Sequence, residues 1–161
     1  MAKAKPISDL TADQTYAEAA ARIVSVRAEE LTAHAQGVLD TGDIERVHDM
    51  RVATRRLRAA LEIFAPCFPA EAYGEALSEV KRLADGLGER RDRDVAIATL
   101  TAFNAQVPIP DRRGIGSLVA SLRTEQEDAN RELAPLVERA HLNSLSESLD
   151  ELIESVRRVP A

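Results

Sequence analysis

One cysteine, Cys67, stands in the whole chain, so no internal disulfide can form, and with neither a second Cys nor a His at ligand spacing it offers no zinc site. It is expected to serve as a small buried apolar side chain. Tryptophan is absent and only two Tyr and three Phe occur, which leaves little to build a sheet core or to stack nucleic-acid bases. No apolar run approaches the ~20 residues that a membrane span needs. The opening stretch from Met1 to Asp9 has lysines but no apolar centre of a signal peptide, so the protein is expected to be cytoplasmic.

What the chain does have is 45% hydrophobic and 30% charged residues over 161 positions, enough to bury one core and too short for two ordinary domains. The expected organisation is a flexible N-terminus over residues 1–8 and one helical domain over 9–161. Ala, Leu, Glu and Arg dominate, and all four favour helix. From Thr11 to Leu39 the apolar positions Ala17, Ala21, Val24, Ala28, Leu31, Ala35 and Val38 alternate steps of four and three, which predicts one long helix with Thr11 and Gln14 as its capping box. Asp43 is placed to cap a second helix that stops at Pro66. Pro69 opens a third, closed by Gly86 and Gly88, and a fourth runs from Glu89 to the prolines at 108 and 110. A fifth, capped by Asp111 or Ser117, reaches a kink or break at Pro135. Ser144 and Glu147 form the box that opens a last one. The pattern predicts an all-α antiparallel bundle of about six helices, with the first and fifth as its long spine.

A net charge of −6 argues against a polyanion partner until its distribution is examined. Residues 46–93 hold ten Lys/Arg against eight Asp/Glu, whereas both flanks are acidic. The second helix concentrates the positive charge. His48, Arg51, Arg55 and Arg58 fall on one side of it, with Met50, Ala53, Leu57, Leu61 and Phe64 roughly opposite. Like charges three or four apart destabilise a helix by a few tenths of a kcal/mol per pair, so something compensates. Carboxylates from neighbouring helices would make the file a structural ion-pair network. Alternatively the file is an anion cradle, because arginine presents a rigid fork to phosphate oxygens and a row about 15 Å long meets several phosphates in succession. His48 at its head then donates as well, better when protonated.

A second unusual stretch runs from Lys81 to Val95. Arg90, Arg91 and Arg93 occupy the first turn of the expected fourth helix, where the dipole prefers acids. A helix start after glycines is an anion site, so these arginines serve a ligand, or else Asp92 and Asp94 pair with the arginines of the second helix and orient them.

The two stretches, His48-x-x-Arg51-Val52-x-x-Arg55-Arg56-Leu57-Arg58 and Leu87-Gly88-x-x-Arg91-Asp92-x-Asp94-Val95, together resemble the CHAD family, the conserved histidine α-helical domain. The resemblance implies a helical fold, inorganic polyphosphate as ligand and association with polyphosphate granules. Residue by residue it points to His48, Arg51, Arg55, Arg56 and Arg58, with Lys81 or Arg82 and Arg91 as supporting cations. Typical members are longer and contain two related helical halves. This chain resembles a short member covering about the first half, since His141 is followed by no arginine file. The missing half motivates an expected homodimer.

No nucleophile with its base and no metal-holding group of carboxylates is found in the sequence, so catalysis, metal and cofactor are not expected. Nucleic-acid binding is the nearest rival, weakened by the lack of aromatics among the arginines and by the acidic flanks. A purely structural helical interaction module is the third reading.

Overall fold

The computed structural model describes residues 3–157. Among them the chain forms five α-helices and no strand: α1 (Tyr16–Ala33), α2 (Ile44–Ile63), α3 (Ala70–Gln106), α4 (Arg112–Val137) and α5 (Arg139–Arg157), with short 3-10 turns at Ala65–Cys67 and Ile109–Asp111. The all-α bundle expected from periodicity is what the chain adopts, with five helices where about six were expected.

The first helix is shorter than its pattern. Thr15, not Thr11, is its N-cap: the Thr15 hydroxyl accepts from the Glu18 backbone N–H and the Glu18 side chain accepts from that of Thr15, a complete capping box. Thr11 and Gln14 form a turn just ahead of it. The helix stops at Ala33, and Gly37 then takes φ +72°, a conformation glycine adopts without cost. Arg46 lies across this glycine, its Nη1 donating to the Gln36 carbonyl at 3.1 Å. Val38 is still buried although it lies in this loop, so the apolar period outlasts the helix that it marks.

The expected break at Gly86 and Gly88 does not exist. α3 runs through both glycines for 37 residues, about 55 Å at 1.5 Å per residue. Gly86 packs against Leu136 of α4, whose Cδ1 lies 3.2 Å from where a β-carbon would stand, and Gly88 faces Arg51 of α2. At Gly86 the missing side chain allows close helix approach instead of ending a helix. α3 is therefore the spine, in place of the first and fifth helices expected. α4 continues past Pro135 to Val137, and α5 begins at Arg139. Ser144 and Glu147 consequently lie inside α5 and do not cap it.

α1 packs between α2 and α5, α2 on α3, and α3 on α4 and α5. Their shared core includes Val24, Leu31, Met50, Leu57, Leu61, Leu83, Leu87, Leu133, Leu149 and Leu152. Cys67 packs half-buried against this core, and burial pushes its thiol pKa up. At the N-terminus, Lys5 pairs with Glu29, the Arg27 Nη2 donates to the Lys5 carbonyl at 3.0 Å, and Arg22 donates to the Ser8 carbonyl at 3.3 Å. Residues 95–125, the far halves of α3 and α4 with the turn between them, contain no buried residue. They stand out from the bundle as a two-helix arm. At its tip the Arg112 side chain satisfies the end of α3, donating to the carbonyls of Val107 at 2.9 Å and Ala105 at 3.2 Å.

Candidate polyanion-binding site

α2 is divided as its sequence requires. Val47, Met50, Ala53, Leu57 and Leu61 are buried, whereas Arg55 is exposed and His48, Arg51, Arg56 and Arg58 are partly so. Val52, Arg55, Arg56, Arg58, Ala59 and Glu62 line a concavity of about 460 Å³ on this surface. Arg51 extends the basic row toward α3, its Nε 3.8 Å from the place of a β-carbon on Gly88. A larger concavity, about 910 Å³, lies between the start of α3 and α5. It is lined by Glu71, Glu75, Glu79 and Glu151, the wrong sign for a polyanion.

The cations singled out in the sequence differ in how their charge is used. Arg58 holds Glu62 through Nε at 2.9 Å; that bond, and to a smaller degree the charge of Asp85 on α3, raises its pKa. Arg56 pairs with Glu30, a residue only 3% exposed that also takes Arg27. Arg91 ties α3 to the start of α2, donating to the Ile44 carbonyl at 2.9 Å and reaching Glu45 at 3.4 Å. Arg82 pairs with Glu79 at 2.8 Å on an exposed surface. Arg51, Arg55 and Lys81 make no hydrogen bond or ion pair among the described residues. The basic file thus divides into arginines held in ion pairs and two, Arg51 and Arg55, with no partner among the described residues.

His48 stands among acids. One ligand atom each from Glu45, His48 and Asp49 comes within 4.8 Å of the others, a consequence of their spacing on one turn. Glu45 already receives Arg91, and the head of the file is less positive than the alignment of His48 with the arginines suggests.

The expected second anion site is absent as such, because positions 89–94 are the middle of α3 and present no helix N-terminus. Nor does Asp94 meet an arginine of α2. Its Oδ1 accepts from Arg90 Nε at 3.0 Å within the same helix and from Gln126 Nε2 of α4 at 2.5 Å. Arg90 Nη1 donates to Asn130 at 2.7 Å, whose Nδ2 in turn donates to the Leu39 carbonyl at 2.8 Å. Both charged side chains of this network are wholly buried. It joins α3, α4 and the α1–α2 loop, a role that a sequence pattern could not assign because its bonds between elements link residues 32 to 91 positions apart. Asp92 is exposed.

The family model described as the CHAD domain matches residues 22–161. The chain belongs to the CHAD domain family. The match takes in all of α2 to α5 and most of α1, beyond the two motif-bearing stretches. None of the curated proteins compared is significantly similar to this CHAD protein. No helix of the described residues is long and apolar enough to cross a membrane.

Proposed function

We propose that this CHAD protein binds inorganic polyphosphate on the exposed side of α2 and catalyses no reaction. The observation that supports the reading best is the pair Arg51 and Arg55, two guanidinium groups one helical turn apart that carry no partner among the described residues beside the groove lined by Arg55, Arg56 and Arg58. Two unpaired forks on one turn offer bidentate contacts to successive phosphates. Lys81 adds a point charge from α3, while Arg58 exchanges an exposed carboxylate for phosphate at little cost. Arg56 and Arg91 act chiefly as ties between helices and shape the groove. Granule association follows from the same binding wherever polyphosphate condenses. Nucleic acid is disfavoured because the aromatic contacts, Tyr16 with Phe64 and Phe68 with Tyr73, belong to packing and leave no base-stacking platform beside the arginines.

The test is a titration with labelled polyphosphate, with single-stranded DNA as competitor and orthophosphate release as the check for catalysis. R51A/R55A is expected to lose at least tenfold in affinity with its helicity intact, and R131A, on the exposed surface of α4, to lose less than twofold. Affinity should fall steeply between about 50 and 200 mM salt, as counterion release requires. Equal affinity of R51A/R55A and wild type would place the site elsewhere. Preferential displacement by DNA would favour the nucleic-acid reading, and steady orthophosphate release would end the non-catalytic one.

A further inference from the structure

The arm over residues 95–125 is unusual in composition as well as in exposure. In a chain that is 30% charged, positions 95–110 carry no charged side chain, and neither do 114–122. From 95 to 122 the only charges are Asp111, Arg112 and Arg113 at the tip, and Arg112 is engaged with the end of α3. The surface is also apolar. Val95, Phe103, Ile109 and Leu118 are 47%, 52%, 79% and 51% exposed. Together these four side chains expose on the order of 450 Å² along the arm, over half of the ~800 Å² that each partner of a stable complex buries.

The fold indicates the shape of what is missing. Along α3 the positions Gly88, Arg91, Val95, Thr99 and Ala102 follow one another by three or four on one side. Gly88 and Arg91 of this row are covered by α2. α2 begins at Ile44, against Arg91, so Val95, Thr99 and Ala102 continue the row exposed, with no helix of the described residues above them. Gly114 and Gly116 at the base of α4 likewise face open space.

We infer that the occupant is the arm of a second copy of this chain, the two α3–α4 hairpins packing into an intermolecular four-helix layer. A two-fold contact sets each surface against its own copy, and a charged surface meets like charge there. This surface avoids that cost, because between Val95 and Leu122 its only charges stand at the tip. The same neutrality gives a highly charged partner nothing to pair with. Two hairpins of equal length supply the helices that each other's exposed row lacks. The inference rests on the arm alone and does not depend on the ligand of the arginine groove.

Analytical ultracentrifugation of the full chain without polyphosphate tests it, from about 1 to 300 µM. Wild type is expected at twice the 17.6 kDa of one chain at the upper end, and F103E/L118E at the monomer mass throughout. T99E/A102E, which removes no large apolar side chain, should also be monomeric, and circular dichroism should show both variants folded. A wild type that is monomeric at every concentration overturns the inference. So does a folded variant of either kind that still pairs like wild type. Polyphosphate affinity measured on the monomeric variants reads the groove separately, since neither variant touches α2.

Discussion

Gly88 of α3 lies against Arg51 of α2, with the Arg51 Nε 3.8 Å from the point a β-carbon at position 88 would occupy. That separation is ordinary van der Waals contact, so a methyl group fits without moving the arginine. Glycine inside a helix is about 1 kcal/mol less favourable than alanine. Gly88→Ala should therefore raise the melting temperature by several degrees and leave polyphosphate affinity within twofold. Gly86→Ala, whose β-carbon would meet Leu136 at 3.2 Å and Leu133 at 3.4 Å, should gain less. A lower melting temperature for Gly88→Ala than for wild type would contradict the contact geometry.

The Arg90–Asp94 pair yields a prediction on stability. Removing one member of a buried ion pair leaves the other charge uncompensated, at a cost of about 3–5 kcal/mol, whereas replacing both by apolar residues is often far cheaper. Urea unfolding should show Arg90→Met strongly destabilised and the combination of Arg90→Met with Asp94→Leu less so. If the double variant is the less stable of the two, the hydrogen bonds to Gln126 and Asn130 outweigh the charge.

Glu18 gives the fold a dependence on acid. Donation from the backbone and then the hydroxyl of Thr15 lowers its pKa below the ordinary 4.5. A folded pKa below the unfolded one means that the stabilisation is complete above the unfolded value and disappears as pH falls through the folded value. The melting-temperature gap between wild type and Glu18→Gln should be largest above pH 5 and close as the pH drops toward 3. A gap constant over that range would show that ionised Glu18 adds nothing to the cap.

Much of this was legible in the sequence for a physical reason. Burial repeats every three or four residues along a helix, so Met50, Leu57 and Leu61 declared the inner side of α2 and the arginines its outer side. What misled was punctuation. Gly86 and Gly88 read as a stop because glycine favours helix ends, but α3 runs through both, and at Gly86 the lack of a side chain serves close packing against α4. Thr11 and Thr15 are both followed at three residues by an acid or amide, and only their surroundings select Thr15. In the site, the file on α2 was readable from 100° geometry, whereas the separation of its arginines into free and paired depends on Glu30, Glu45 and Glu62 being brought beside them. Glu30 lies on α1 and Arg91 on α3, and no local spacing predicts those meetings.

The continuity of α3 has a mechanical consequence. Gly88, against the arginine groove, and Phe103, on the arm, belong to one uninterrupted helix and are separated by about 22 Å along its axis at 1.5 Å per residue. With no hinge between them, the segment turns as a stiff lever. A tilt of about 5° at Gly88 would displace Phe103 by about 2 Å over that length.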